Sequence, residues 1–99
     1  MASTPEGKVK RRVKDALKQA GAYQFWPVQT GLGARTLDCL GSHRGRAFAI
    51  ETKAEGQRLT EQQEWIKQKI ELSGARVFVI DTSDEMSQCW VELLAFLLL

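Results

Sequence analysis

The sequence predicts one α/β domain over residues 1–99, with a mixed central β-sheet flanked by helices. Helical and extended patterns alternate along the chain in the order α-β-β-β-α-β-α. The composition, with 43% hydrophobic and 26% charged residues over 99 residues, is typical of one globular domain. The apolar run Val77–Ile80 follows a helical segment, which indicates a strand buried on both faces and reached by a helical crossover.

The first helix is predicted from about residue 5 to residue 20, because apolar residues recur there at helical spacing. Ser3 or Thr4 would cap its start, and Gly21 would end it. The aromatic and β-branched residues from Tyr23 to Val28 then indicate a short strand at the edge of a sheet, since the stretch contains a proline.

A hairpin is predicted in the middle of the chain. Residues 30–34 form a flexible loop, Thr36–Leu40 a strand, residues 41–45 a turn and Arg46–Lys53 a second strand. Side chains alternate between the two faces of a strand. One face of the second strand therefore carries Phe48, Ile50 and Thr52, and the other carries Ala47, Ala49, Glu51 and Lys53.

The second half of the chain is predicted to hold two helices and one strand. A helix runs from Thr60 to Gly74, the buried strand follows, and a last helix starts at Ser83 or Asp84. The apolar end of that helix is far shorter than the roughly 20 residues that cross a bilayer, so no membrane span is expected. Two distant cysteines without a pairing pattern predict a reduced, cytoplasmic protein.

Charge is distributed unevenly along the chain. Residues 1–58 hold 11 of the 14 Lys and Arg residues against 5 acids, whereas residues 59–99 hold 3 against 7. This asymmetry suggests an anionic partner for the N-terminal half. A solvated helix face is the simpler explanation of a basic run taken alone.

Three charged residues are predicted to converge at the ends of two paired strands. Glu51 and Lys53 project from one face of a strand, and Asp38 lies on the strand paired to it. Carboxylates are the ligands that Mg²⁺ or Mn²⁺ prefers, and such an ion can activate water and stabilise charge on a phosphoryl group. Lys53 could orient the water or meet the developing charge. A surface ion pair would explain Glu51 and Lys53 alone.

Two more polar residues interrupt apolar helical stripes. Gln63 is in phase with the apolar residues of its helix, and Glu6 is in phase with those of the first helix. Each also fits a capping box, Thr60 with Gln63 and Ser3 with Glu6. Their joint occurrence favours a shared polar site that faces the sheet.

The chain resembles the virus-type replication-repair nuclease (VRR-Nuc) family of the PD-(D/E)xK nuclease superfamily. The resemblance covers Glu6 to Asp81, and its most specific part is the run Ile50–Thr60, which contains Glu-x-Lys, followed by Gln63. The family usually has proline before the aspartate, where this chain has Leu37.

The resemblance implies a restriction-endonuclease-like core and a Mg²⁺- or Mn²⁺-dependent DNA endonuclease. The metal ligands implied are Asp38, Glu51 and the backbone carbonyl of Thr52, with Glu6 acting directly or through water. Lys53 would serve the attacking water, supported by Gln63. Stand-alone members are viral, which suggests the host cytoplasm, branched DNA and resolution of four-way junctions by a homodimer.

Other residues have less specific predictions. Helix one, together with Arg35 and two arginines of the hairpin, offers DNA-phosphate contacts from Lys8, Arg11, Arg12, Arg35, Arg44 and Arg46. His43 is expected to be an ordinary turn residue, Cys39 a core residue, and the three tryptophans core or interface residues. The leucine-rich last helix would form a homodimer interface or pack on its own domain.

Two other functions compete with the endonuclease. One is a non-catalytic DNA-binding or assembly module that keeps the fold, against which Asp38, Glu51 and Lys53 argue because all three are intact. The other is a restriction-type enzyme, for which the chain lacks the extra length that base recognition usually requires.

Overall fold

The computed structural model describes residues 4–29, 31 and 33–99, and it confirms the predicted α/β class and the order of its elements. Thr30 and Leu32 of the predicted loop, and Ser3 as a helix cap, lie outside the described residues. The elements are α1 (Pro5–Ala20), β1 (Tyr23–Phe25), β2 (Cys39–His43), β3 (Arg46–Thr52), α2 (Glu61–Leu72), β4 (Arg76–Ile80) and α3 (Gln88–Leu98).

The four strands form one mixed sheet in the order β1-β2-β3-β4. β1 with β2 and β2 with β3 pair antiparallel, whereas β3 and β4 pair parallel and are connected through α2. The predicted helical crossover is thus confirmed. β4 lies at the edge of the sheet, and its Val77 and Val79 are only half-buried. The prediction that this strand is buried on both faces was wrong in that respect.

Helices cover both faces of the sheet, and the predicted alternation of β3 accounts for the two cores. On one face, Phe48 and Ile50 pack with apolar residues of α1 and α3, including the fully buried Trp90. On the other face, Ala49 packs with Leu37 and with Ile66 of α2. Cys39 is fully buried in the first core, as predicted.

The hairpin turn is shorter than predicted. β2 continues to His43, and only Arg44 and Gly45 form the turn, both with positive φ (53° and 79°). Two such residues match the twist of a β-hairpin. Gly41 therefore lies inside β2 rather than in the turn. A Cβ there would collide with the Tyr23 carbonyl oxygen and lie 2.6 Å from the Phe48 ring, so only glycine fits.

The last helix starts later than predicted. Its N-cap is Ser87, because Asp84 and Thr82 hold a preceding turn instead of capping a helix. The Asp84 carboxylate accepts a hydrogen bond from the Met86 amide (2.9 Å), and the Thr82 hydroxyl accepts one from the Asp84 amide (3.1 Å). Side chains of this type compete with helix formation by bonding to nearby backbone groups.

The C-terminal end of α3 is held by the β-hairpin. His43 Nε2 lies 2.8 Å from the Leu97 carbonyl, Arg46 donates to the Phe96 carbonyl (2.6 Å), and Arg44 donates to the carbonyls of the last two residues. These groups satisfy carbonyls that have no partner within the helix. His43 is thus a buried structural residue, which corrects its prediction as an ordinary turn residue.

Most of the apolar face of α3 packs on its own sheet, with Val91 and Leu98 remaining exposed. Among the residues that the structure describes, no helix is long and apolar enough to cross a membrane.

Candidate functional site

Four elements converge at one end of the sheet. The N-terminal turn of α2 faces the end of β3 and the residue that precedes β2, and the first turn of α1 lies nearby. This convergence follows from the topology, because β2 runs antiparallel to β3 and its start therefore adjoins the end of β3. Asp38, Glu51, Lys53 and Gln63 come together here, as predicted from the sequence.

Asp38 is fixed by Thr52. Its Oδ2 atom accepts hydrogen bonds from the Thr52 backbone amide (3.0 Å) and the Thr52 hydroxyl (2.8 Å). No described residue donates to Oδ1. Asp38 immediately precedes β2 instead of lying within it, and its own amide donates to Glu51 Oε1 (3.0 Å). The Thr52 side chain is a member of the site that the sequence analysis missed, because only its carbonyl was considered.

Glu51 is the buried centre of the site, with 4% of its surface exposed. Burial raises the pKa of Glu51 from 4.5 to about 7, and the negative charges of Asp38 and, to a smaller extent, Glu6 act in the same direction. The Asp38 amide and the charge of Lys53 lower it without cancelling the effect. The raised pKa thus reflects mainly the burial of Glu51 and secondarily the neighbouring carboxylates.

Lys53 is the cation of this cluster. Its Nζ atom lies 3.8 Å from Glu51 Oε2, and only 12% of its side chain is exposed. The predicted alternative of a surface ion pair does not fit, because both partners are largely buried. The long contact leaves the ammonium protons available to another acceptor in the site.

Gln63 performs both of the roles considered for it. Its side-chain oxygen accepts a hydrogen bond from the Thr60 backbone N–H (3.0 Å), and the Thr60 hydroxyl accepts one from the Gln63 backbone N–H (3.1 Å). The two bonds complete a capping box. The side-chain nitrogen of Gln63 donates to Glu51 Oε2 (2.9 Å). One side chain therefore fixes both the start of α2 and the orientation of the buried carboxylate.

Glu6 lies at the edge of the site. Within the described part of the chain its carboxylate makes no hydrogen bond or ion pair, and its charge influences Glu51 from a distance. The N-cap of α1 is Thr4, whose hydroxyl accepts from the Gly7 amide (2.9 Å). Glu6 is thus the second residue of the helix, and the capping role suggested for it is not observed among these residues.

The donor set fits a small divalent cation better than a metal that needs several side-chain ligands. Among residues 4–29, 31 and 33–99, no group of three or more His, Cys, Asp or Glu side chains could hold a metal ion. Asp38 and Glu51 offer two adjacent carboxylates, and the Thr52 carbonyl is close in sequence. Mg²⁺ is commonly bound by one or two carboxylates, with water and substrate oxygens completing its coordination.

The predicted DNA-binding residues fall into separate regions. Arg35 is exposed and lines the pocket that contains Asp38 and Glu51. Arg44 and Arg46 lie at the opposite end of β2 and β3, roughly 17 Å away at 3.3 Å per residue, where they bind the end of α3. Their contacts give them a structural role that the sequence analysis did not predict.

The basic residues of α1 lie on its exposed side. Lys8 and Arg11 are exposed, and Arg12 is paired with Glu85 of the loop before α3. The last contact joins two exposed side chains and contributes little to stability.

The tryptophans differ from one another. Trp90 is a core residue and Trp26 is half-buried beside Lys10 and Lys14 of α1, but Trp65 on α2 is 59% exposed. The core position considered for it is therefore wrong, and the interface position stays a prediction. The signal was present in the sequence, because Trp65 is one residue out of phase with the stripe that contains Ile66 and Ile70.

Comparison of the chain with models of protein families, with characterised proteins and with solved structures gave no significant match.

Proposed function

We propose that this protein is a divalent-metal-dependent nuclease that hydrolyses DNA phosphodiester bonds. The observation that carries the proposal is the pair of adjacent carboxylates on Asp38 and Glu51, with Lys53 3.8 Å from Glu51 in a buried site. Two carboxylates can hold a metal ion whose other ligands are water and substrate oxygens, and one cation can serve a negatively charged substrate.

The arrangement of the fold also supports the proposal. An α-β-β-β-α-β order, with three antiparallel strands and a fourth parallel to β3, resembles the restriction-endonuclease-like core implied by the family likeness. The family likeness is to VRR-Nuc proteins, and it implies that Asp38, Glu51 and Lys53 form the active site. A shared fold alone does not define chemistry, so the functional argument rests on the site.

Each residue of the site has a proposed role. Asp38, Glu51 and the Thr52 carbonyl would hold Mg²⁺ or Mn²⁺, and Glu6 would act through water. The bound ion would neutralise phosphate charge and lower the pKa of a coordinated water molecule. Lys53 would orient the attacking water or bind the phosphate oxygen that gains charge. Gln63 would hold Glu51 in the orientation that its ligand role needs.

The activity can be tested with wild-type protein and a Lys53→Met variant. We would incubate each with a four-way junction, a flap, a linear duplex and a supercoiled plasmid, in Mn²⁺ and in EDTA. Cleavage of at least one substrate is expected only with Mn²⁺, and Lys53→Met should reduce its rate by at least about 100-fold. Calorimetry should find Mn²⁺ still bound to the variant, because both carboxylates remain.

Lys67→Met is the matched control for that experiment. This variant loses the same charge, but Lys67 pairs with Glu71 on α2 and does not line the pocket that contains Asp38 and Glu51. It should retain wild-type cleavage. Absence of metal-dependent cleavage of every substrate, or full activity of Lys53→Met, would contradict the proposed function.

The double role of Gln63 predicts a difference between two variants of one capping box. Thr60→Ala and Gln63→Ala should each destabilise the protein by about 1 kcal/mol, because each breaks the cap of α2. Only Gln63→Ala should also weaken Mn²⁺ binding, by about 10- to 100-fold, since it releases Glu51. Denaturant unfolding and calorimetry measure the two effects, and equal metal affinity of the two variants would contradict the positioning role.

A homodimer acting on branched DNA is the proposed form of the enzyme. The exposed Val91 and Leu98 of α3 offer apolar surface beyond what the domain buries. A dimer would present two sites to the two strands that a resolvase cuts. Sedimentation at micromolar concentration should give twice the monomer mass of 11.1 kDa, and a monomer would count against this part of the proposal.

A further inference from the structure

A groove of about 510 Å³ runs beside α2, between this helix and the segment that precedes β2. It adjoins the candidate site. Arg35, Gln62 and Ile66 line both the groove and the pocket that contains Asp38 and Glu51. A ligand lying along the groove would therefore extend into the site.

Trp65 forms part of the wall of this groove. Trp65 is 59% exposed, and the ammonium of Lys69 lies over one face of its ring, 4.3 Å from the centroid. The indole N–H donates to no residue that the structure describes. A large aromatic surface is thus available to a planar ligand from the solvent side, and a cation is already next to it.

The charges of the groove suit an anionic ligand. Among the residues that the structure describes, its lining contains Arg35 and Lys69 and no Asp or Glu. Glu61 lies one turn before Trp65 on α2, but it is not among the residues that line the groove. Cationic side chains beside an exposed aromatic ring are the combination that binds single-stranded nucleic acid, because bases stack on the ring and phosphates meet the cations.

We propose that this groove binds an unpaired strand of nucleic acid, with a base stacked on Trp65 and phosphates at Arg35 and Lys69. The strand leads to the Asp38 and Glu51 site, and its role as a substrate there rests on the proposed nuclease function. In a duplex the base faces are already stacked on one another. The preferred substrate is therefore DNA with unpaired nucleotides next to the bond that is cut, and fully paired duplex is a poorer one.

Binding can be tested without cleavage, using Trp65→Ala and Trp65→Phe in EDTA. The probes are a labelled twelve-nucleotide oligothymidine and the duplex that it forms with oligoadenosine, followed by fluorescence anisotropy. Wild-type protein should bind the single strand more tightly than the duplex. Trp65→Ala should weaken single-strand binding by about tenfold or more, and Trp65→Phe should retain most of it.

Leu72→Ala is the matched control, because Leu72 is an apolar residue of α2 that is 88% exposed and lies outside the groove lining. It should bind the oligonucleotide as wild type does. Since both Trp65 and Leu72 are exposed, circular dichroism should find all variants folded.

The outcomes separate this inference from the nuclease proposal. Weaker oligonucleotide binding by Trp65→Ala, without metal-dependent cleavage by wild type, would support the groove and reject the nuclease. Unchanged binding by Trp65→Ala in a protein that cleaves DNA would overturn the groove. A Trp65→Ala variant that changes only the sedimentation mass would also overturn it, because the occupant would then be a second copy of the chain.

Discussion

Replacing Glu51 with glutamine is expected to lower the rate of metal-dependent DNA cleavage by at least about 1000-fold. The substitution keeps the shape of the side chain but removes the charge of the most buried carboxylate in the site. Calorimetry should therefore also find much weaker Mn²⁺ binding. This distinguishes the variant from Lys53→Met, for which metal binding is expected to survive.

Glu55→Gln is the matched control for this variant. Glu55 is an exposed carboxylate in the loop that follows β3, four residues beyond Glu51, and its loss removes the same charge from the chain. Cleavage by Glu55→Gln should equal that of wild type. A Glu51→Gln variant that cleaves DNA at the wild-type rate would refute the proposed role of the carboxylate.

Without metal, Glu51→Gln should become more stable relative to wild type as pH rises. Because the pKa of Glu51 is about 7 when folded and 4.5 ordinarily, the folded state binds its proton more tightly than the unfolded state. The stabilisation that this proton provides is fully present below pH 4.5, and it is lost as pH rises through the folded-state pKa of about 7. The loss approaches roughly 3 kcal/mol, at 1.36 kcal/mol per pKa unit.

Glu51→Gln lacks this titration, so the comparison isolates it from that of other groups, including Asp38, Glu6 and Lys53 around the site and His43 elsewhere. In EDTA, wild type should lose stability relative to the variant between pH 5 and pH 8, as measured by the difference between their free energies of unfolding. Added Mn²⁺ should stabilise wild type more than the variant near pH 8, because the ion favours the charged carboxylate. A constant difference between the two proteins across this range would show that Glu51 titrates normally.

Gly41→Ala is expected to destabilise the protein by at least about 3 kcal/mol. The new methyl group would collide with the backbone carbonyl of Tyr23 on β1 and with the Phe48 ring on β3. Backbone cannot move aside as the end of a flexible side chain can. The strand β1 should therefore be displaced or the variant unfold, which denaturant titration would measure.

Two comparisons test this explanation. Ser42→Ala changes the exposed neighbour in the same strand and should leave stability nearly unchanged. Phe48→Leu in the Gly41→Ala background relieves only the side-chain contact, so it should restore little of the lost stability. Wild-type stability of Gly41→Ala would mean that the Tyr23 carbonyl does not lie close enough to residue 41 to exclude a methyl group.

The sequence predicted those features that depend on local pattern. Periodicity and capping residues located α1 and α2, and strand alternation separated Glu51 and Lys53 from Phe48 and Ile50, which the structure packs against α1 and α3. The grouping of Asp38 with Glu51 followed from pairing two adjacent strands, which is the simplest hairpin.

Features that depend on distant contacts were missed. The roles of His43 and Arg46 depend on α3, which begins more than 40 residues later in the chain. The short turn could not be inferred because Gly41 looks like a turn glycine until the approach of Tyr23 and Phe48 is known. A sequence window contains neither contact.

The hydrogen bonds around Asp38 have a consequence for which cation this pocket could select. Two donors from Thr52 occupy one oxygen of Asp38, and each oxygen of Glu51 accepts a bond as well. Calcium draws about six to eight oxygens and often both oxygens of one carboxylate, whereas magnesium retains much of its water shell. Carboxylates restrained in this way leave few oxygens for direct ligation. They would therefore favour Mg²⁺, which keeps much of its water, over Ca²⁺, which needs more protein oxygens.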